Sequence, residues 1–560
     1  MIFKNVIAGG QLTLHRYRMF RQVLRNMTFM AMLISLPYIV FQFSKVPYGH
    51  WYSLGYSYLV EFHEFVGSKK EISVDRKFWG WATKFTPSKD PLFPLERLKT
   101  VCKRKNDIFW KKAVKIFEET ASVFSWTFFL SGAFFLGAGK VLTRKKHLSG
   151  KRICPAWLLA LKLKVTMKGS KITIGKLPLI KGTENQHILV SGGTGSGKTN
   201  CFHHILPSLR ESKQRAVVVD TTGVLVSRYY REGKDILLNP FDPRGKDWHP
   251  WVECRNDIDF ESLAQSFIPA SYNEFENYWR RSACDVFSSV LKKQQYEKRT
   301  QELTEMLLRS SLKELCDYVA ETDGAAHLDH SSEKTAATIR SVGSSFLSCL
   351  KHIEDTNKPF SIREWVEKDC DDSWLFINCS VGERAALNPL ISSWTSIAIR
   401  SLIQMPPDID RRMWFVVDEL PSLQKLKDLE VLLAEGRKFG ACALLSLQSP
   451  AQLEAIYGHN ITKVILGNCA TRISFFEQDP EIAAQISKIF GEYEYLEMQE
   501  GLSYGANDMR DGINLSKQER RKSVVSASDI QSLRKQEAFV KLPEKNPITK
   551  LRLKLAKNSL

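Results

Sequence analysis

Two stretches near the N-terminus lack the usual interleaving of polar and apolar residues. Met27 to Phe43 (MTFMAMLISLPYIVFQF) and Ala121 to Gly139 (ASVFSWTFFLSGAFFLGAG) carry no charged residue. Each approaches the length needed to cross a hydrocarbon layer of ~30 Å. They predict transmembrane helices over 27–43 and 121–139, a loop or small domain over 44–120 between them, and a basic segment over 1–26 ahead of them. No small-x-small cleavage site follows Phe43, which argues against a removed signal peptide. From Leu161 the pattern shortens to alternating runs, LKLKVTM and KITIG, read as strands turning at Gly169-Ser170. His187 to Ser191 reads as a buried strand followed by a helix through Leu209. Asn256 to Asp355 has helical periodicity with few Gly or Pro, and predicts an all-helical insertion. Strands then alternate with helices again: Trp374–Cys379, helix Asn388–Met405, Trp414–Asp418, helix Leu423–Phe439, Ala443–Leu447 and Thr471–Phe476. Such alternation predicts an α/β fold with a parallel sheet covered on both faces. The expected division is an α/β domain in two parts, 160–255 and 356–545, an all-α domain over 256–355, and a basic tail over 546–560.

Charge adds an orientation and a class of partner. In 560 residues Lys and Arg outnumber Asp and Glu by 80 to 61, a net charge of +19, which favours polyanions such as nucleic acid or anionic lipid headgroups. Lys4, Arg16, Arg18, Arg21 and Arg25 precede the first apolar run, and Lys140, Arg144, Lys145, Lys146, Lys151 and Arg152 follow the second. By the positive-inside rule both ends are cytoplasmic, whereas the intervening loop exceeds the ~60 residues over which loop charge decides topology. A two-pass membrane protein is expected, in contact with the lipid bilayer. The 11 cysteines contain no CxxC pair, and neither His203-His204 nor His327/His330 has a nearby set of further ligands, so no metal site of the zinc kind is expected.

The chemistry begins at Gly192-Gly193-Thr194-Gly195-Ser196-Gly197-Lys198-Thr199, a GxxxxGK[ST] loop between a strand and a helix. Its glycines let backbone N–H groups surround phosphate oxygens, with Lys198 on the β and γ phosphates of ATP and the Thr199 hydroxyl on Mg²⁺. Hydrolysis needs an acidic partner, supplied by the strand MWFVVDEL: Asp418 to orient Mg²⁺ through water, and Glu419 to polarise the attacking water. Gln448, ending the strand ALLSLQ, suits a γ-phosphate contact or a simple loop cap. Arg437 lies at a helix end, pointing away from its own phosphate site; in a ring it would meet a neighbour's nucleotide, and otherwise it is a surface arginine. The basic residues of the insertion, Arg280, Arg281, Lys292, Lys293, Lys298 and Arg299, suit DNA contact or a solvated helix face. No NKxD guanine signature and no HRD or DFG kinase pair is present.

GGTGSGKT, WFVVDELPSLQKL, LLAEGRKFGACALLSLQSPAQLEAIYG and SYGANDMRDG together resemble the TraD-type coupling proteins of conjugative type IV secretion systems, from the first apolar run to about Pro543. The resemblance implies a RecA-like P-loop core with an all-α domain, a bacterial inner-membrane anchor whose 44–120 loop is periplasmic, and a homo-hexamer hydrolysing ATP between subunits. It also implies partners: single-stranded DNA carrying a bound relaxase, and the inner-membrane components of the secretion channel. It assigns Lys198 and Thr199 to the phosphate loop, Asp418 and Glu419 to the acidic pair, Arg437 to the arginine acting in trans and Gln448 to γ-phosphate sensing. The longest members continue into a polar tail that docks an accessory protein. Here LRLKLAKNSL stands instead, so that docking element is expected to be short or missing. Three further functions compete: a secretion ATPase for protein cargo, a pump for duplex DNA, and a membrane receptor that uses nucleotide only to hold its oligomer.

Overall fold

The computed structural model describes residues 2–67, 71–75, 78, 92–143, 145–271, 273–328, 332–368, 372–503 and 512–556. The chain divides into two compact units, Met1–Lys146 with Leu496–Gln518, and His147–Tyr495 with Glu519–Leu560. Most of the SYGANDMRDG segment, His330 and the last four residues lie outside the described residues.

The first unit is built on two long helices, Ile2–Ser44 and Leu95–Thr143. They pair as an antiparallel hairpin, with Tyr38 donating to Glu119 Oε2 at 3.4 Å. Gly132 leaves space for the end of Met27, which a Cβ there would meet at 2.9 Å. Their outer surfaces are apolar: Phe29, Leu33, Val40, Trp126, Phe129 and Leu136 are all exposed. Both helices contain segments long and apolar enough to cross a membrane. A third helix, Tyr48–Val66, and a short hairpin of Glu71–Ser73 with Leu92–Pro94 complete the described part of segment 44–120.

The second unit is organised by a ten-stranded sheet, whose strands are numbered here in chain order: β1 (Ile153–Pro155), β2 (Ile188–Ser191), β3 (Arg215–Asp220), β4 (Ile236–Leu238), β5 (Trp374–Asn378), β6 (Met413–Val417), β7 (Ala441–Leu447), β8 (Thr471–Ser474), β9 (Glu537–Lys541) and β10 (Ile548–Arg552). The spatial order is β1-β10-β9-β8-β2-β7-β6-β3-β5-β4. From β8 to β4 every neighbouring pair is parallel, and β9 is antiparallel to both its neighbours. Strict alternation sends Val217, Val219, Phe415 and Leu445 to one face and Ala216, Val218, Trp414 and Leu444 to the other, so each face has its own buried layer.

On one face pack the helix Lys198–Glu211 and the helix Ala156–Val165. On the other lies the insertion, whose described residues between 256 and 355 are helices and turns: Asp257–Phe267, Glu274–Lys293, Thr300–Leu308, Leu312–Val319 and Glu333–Leu347. The insertion has no separate core. Phe267 stacks edge-on against Phe287 and lies 6.5 Å from Trp248, which meets Trp394 at 5.7 Å, so its apolar layer is continuous with that of the sheet. Several of its basic residues are paired locally, Lys292 with Asp257 and Arg299 with Glu302, as on a solvated face.

Four local expectations are corrected. LKLKVTM is not a strand: Leu161–Val165 ends a helix, with Leu159 and Leu163 buried one turn apart. The hairpin is instead Gly169–Ile174 with Leu177–Ile180, and it turns at Gly175, whose φ of 63° suits glycine. The helix expected over Leu423–Phe439 is confined to Leu429–Glu435 plus a 3₁₀ turn, because tertiary partners claim the earlier backbone: Gln424 N–H donates to Ser392 Oγ and Leu426 N–H to Tyr457 Oη. The supposed tail is part of the sheet, since Ile548–Arg552 is β10, held between β9 and β1.

Candidate functional site

The site forms where the C-terminal ends of adjacent parallel strands converge. Strand β2 runs into the Gly-rich loop, its neighbour β7 ends at Gln448, and β6 beside that ends at Asp418-Glu419. Residues separated by more than two hundred positions are thus brought together by strand order alone.

The loop takes its shape from glycine. Gly192, Gly195 and Gly197 have φ of 148°, 69° and 124°, and a Cβ at Gly192 would strike the Phe475 side chain at 2.7 Å. Two backbone bonds from distant segments pin it, Gly193 N–H to Phe476 O at 2.8 Å and Gln536 N–H to Ser196 O at 3.0 Å. The Gln536 side chain also accepts from Asn200 at 2.7 Å, and Asn200 in turn bonds Lys554 O and Ala556 N–H. The residue before β9 and the segment after β10 therefore close over the start of the Lys198–Glu211 helix.

Lys198 is buried, with Nζ donating to the carbonyls of Gly192 at 2.8 Å and Gly193 at 3.1 Å. Burial depresses its pKa, and Glu419, Asp418 and Glu477 oppose that shift. Thr199 Oγ1 donates to Asp418 Oδ2 at 3.4 Å. Burial, reinforced by the negative charges of Asp220 and Glu419, pushes the Asp418 carboxyl up to about 7. Glu419 is raised as well, chiefly by burial, with Lys198 and bonds to Gln448 counteracting. Its Oε1 is buried and has no hydrogen-bond partner among the described residues. A hydroxyl against a carboxylate that lacks compensating charge is the donor set of a Mg²⁺ held jointly with nucleotide phosphates, so these residues fit that ion. Among the described residues no cluster of three His, Cys, Asp or Glu side chains would hold a metal unaided.

Gln448 Oε1 accepts from Thr194 Oγ1 at 3.1 Å, which places it across the mouth of the loop. Arg437 does not join this cluster. It sits exposed in the 3₁₀ turn Gly436–Phe439, and its guanidinium has no hydrogen-bond or ion-pair partner among the described residues.

Three groups escaped sequence reasoning. Asp220, fully buried at the end of β3, accepts from Thr222 N–H, Thr222 Oγ1, and the N–H groups of Gly223, Leu225 and Val226. Glu477 is buried beyond β8, with Oε1 accepting from two N–H groups and Oε2 unpaired. Arg384 donates to Thr221 O at 2.7 Å and lends opposing charge to Glu419. Asp220 and Glu477 both end or follow a buried strand, the signal that identified Asp418.

A parallel sheet with a strand-borne phosphate loop, an acidic pair two strands away and a polar residue on the strand between them defines a RecA-like P-loop NTPase. The family model for the type IV secretion-system coupling protein DNA-binding domain matches residues 171–554, and the chain belongs to that family. It is 36% identical over 400 residues to the coupling protein TraD of Escherichia coli strain K12, covering 70% of this chain and 56% of that one. A conjugal transfer protein TraG of Escherichia coli is 22% identical over 365 residues, 57% of each chain. The chain thus spans little more than half the length of these curated relatives. Among solved structures, the bacterial conjugative coupling protein TrwBdeltaN70 superimposes with a TM-score of 0.67 at 27% identity, covering 74% of this chain and 94% of that one. TrwB in complex with ADP and Mg²⁺ gives 0.66 at 27% identity, over 74% and 95% of the two chains.

Proposed function

We propose that the chain is an inner-membrane coupling ATPase: a ring-forming motor that hydrolyses ATP and delivers relaxase-bound single-stranded DNA to a conjugative secretion channel. The observation that carries this reading is the convergence of Lys198, Thr199, Asp418, Glu419 and Gln448 on one sheet edge in a member of the coupling-protein family. The complexes of TrwB with ADP and Mg²⁺ and with a non-hydrolysable ATP analogue support the choice of ligand.

Each residue has a task that follows from its position. Lys198 exchanges the two loop carbonyls for β and γ phosphate oxygens, which is favourable because a depressed pKa marks an ammonium short of negative partners. Thr199 and Asp418 would hold Mg²⁺, which when bound offsets charge on the phosphates. Glu419 offers a free, buried carboxylate oxygen to orient and polarise the attacking water. Gln448, already beside Thr194, contacts the γ phosphate and reports its loss. Arg437 projects away from this cluster and serves the nucleotide of the next subunit in a homo-hexamer. The two apolar helices anchor the motor, with both chain ends in the cytoplasm.

The test is the ATPase rate per subunit measured against protein concentration, with and without single-stranded DNA. A rate that climbs with concentration and is stimulated by single strands is expected. A flat rate indifferent to DNA would remove both the interfacial site and the motor.

A further inference from the structure

The helix Tyr48–Val66 presents aromatic rather than polar side chains to its surroundings. At 100° per residue, Tyr48, Trp51, Tyr58, Leu59, Phe62 and Phe65 fall on one uncharged stripe, interrupted only by Gly55. All six are exposed, Tyr48 by 75%, Tyr58 by 74% and Phe65 by 91%. The seam against helix Leu95–Thr143 is narrower and mixed: Gly49 and Ser53 are buried, Ser53 Oγ donates to Asn106 at 2.7 Å, and Val60 packs in one apolar cluster with Leu98 and Cys102. The helix therefore has its buried side satisfied, and a second, aromatic side is left uncovered, which marks an interaction surface.

We propose that this helix lies in the headgroup region of the leaflet in which the first span ends, with its aromatic stripe seated against phospholipid. The inference rests on the membrane-anchor reading and adds to it a third lipid-contacting element. Continuity is the first argument. Only Lys45 to Pro47 separate this helix from the long apolar one, whose Val40 and Phe41 are exposed just before the turn. Trp51 ties this helix to both long helices, with its ring 5.8 Å from Phe43 of the first and 5.0 Å from Phe109 of Leu95–Thr143.

Residue type is the second argument, because Tyr and Trp concentrate where hydrocarbon meets water. Charge is the third. Lys103, Arg104, Lys111, Lys112 and Lys115 are exposed on the adjoining stretch of Leu95–Thr143, within reach of lipid phosphates. The acidic residues of the helix, Glu61 and Glu64, lie off the stripe, and Glu64 pairs with Lys99 at 2.6 Å. Gly55 also leaves a shallow depression in the helix surface between Trp51, Tyr52, Tyr56 and Leu59.

The experiment uses the full chain in phosphatidylethanolamine/phosphatidylglycerol vesicles, with an environment-sensitive fluorophore on Tyr58→Cys, Phe65→Cys or, as a control within the second span, Leu130→Cys. The parent chain treated identically supplies the background. Quenching is read with phosphatidylcholine spin-labelled at the 5 or the 12 position of its acyl chain. Positions 58 and 65 should be quenched at least twofold more by the shallow label, and position 130 more by the deep one. Positions 58 and 65 unquenched while 130 responds, or cross-linking between copies through those cysteines without quenching, overturns the inference alone. Deeper quenching at 58 and 65 also overturns it, since the helix would then be a span. An unquenched position 130 overturns the anchor reading, and this inference with it. Phe65 makes so little contact with the rest of the chain that its substitution leaves folding intact.

Discussion

Two groups of buried carboxylates sit at opposite edges of the same sheet and are treated in opposite ways. At the edge where β4 and β5 begin, Asp235 is fully provided for: Arg210 Nη2 lies 2.5 Å from one oxygen, Arg231 Nη2 3.2 Å from the other, and Trp374 N–H adds a third bond at 2.9 Å. Burial alone would raise its pKa, yet these partners carry it below the ordinary aspartate value. Asp372 extends the network to Arg231 and Lys234. At the edge where β6 ends, Asp418 and Glu419 are half-buried beside Asp220; Thr199, Lys198, Gln448 and the more distant Arg384 offset them too little, and both are raised. Compensated charge marks scaffold. Uncompensated charge marks a place prepared for something cationic, at a cost in stability carried by the rest of the fold.

The contrast breaks most visibly through activity at the second edge. Glu419→Gln should lower ATP turnover by about 10² to 10⁴, the range for losing a positioned general base, while nucleotide binding stays unchanged and the unfolding midpoint of nucleotide-free protein does not fall. Lys198→Ala should lose turnover together with nucleotide binding, read by calorimetric titration of ADP and Mg²⁺. Arg437→Ala should cost about 10³ or more in turnover if its guanidinium completes a neighbour's site. It should leave nucleotide affinity intact, and mixing with Lys198→Ala subunits should restore part of the rate. If Glu419→Gln kept full turnover, the uncompensated cluster would have no catalytic meaning.

At the compensated edge the same kind of change should strike stability instead. Asp235→Asn leaves two buried or half-buried guanidinium groups short of their partner, and such a loss destabilises by about 3–5 kcal/mol. Urea unfolding should show the drop, with turnover per folded chain preserved. Asp418→Asn, by contrast, should raise the midpoint of nucleotide-free protein, because it removes a buried carboxylate from beside two others. Equal losses from both substitutions would abolish the distinction between the two edges.

The two edges were unequally legible in the amino-acid sequence. The phosphate loop is a contiguous octapeptide and the acidic pair a contiguous dipeptide, each announced by the strand before it, so both could be read locally. Asp235, Arg210 and Asp372 meet only because β4 lies beside β5 and β5 beside β3, an order that no local pattern encodes. The same limit hid Gln536, which reaches the loop across more than three hundred residues. LKLKVTM misled because alternation of leucine and lysine over a few positions satisfies a strand and a helix end alike, and the outcome was set by which leucines found a buried layer. Arg437 was recognisable by its surroundings in EGRKFG, but its exposure in this chain is informative only alongside a second copy.

A third titratable group sharpens the comparison with the smallest effect. His187 precedes β2, is 2% exposed, and has no charged partner among the described residues. Its ring is satisfied as a neutral species: Nε2–H donates to Leu433 O at 3.2 Å, and Nδ1 accepts from Ala443 N–H at 3.2 Å. A second ring proton would face a donor. Burial, only partly relieved by the Leu433 carbonyl, accordingly lowers its pKa from 6.5 to about 4. In the unfolded chain the imidazole takes up its proton first, so the stabilisation is complete above pH 6.5 and is lost progressively as pH falls toward 4. By pH 5 the loss should approach about 2 kcal/mol, seen as a falling urea midpoint. His203, also lowered to about 4, adds to the same slope. His187→Gln, which keeps a donor and an acceptor, should flatten the dependence between pH 7 and pH 5 without removing it. Because His187 ties the strand of the phosphate loop to the carbonyl of Leu433, four residues before Arg437, the substitution should also leave nucleotide affinity intact while lowering turnover severalfold if that tie positions the arginine. Unchanged turnover would assign His187 to the scaffold, with Asp235.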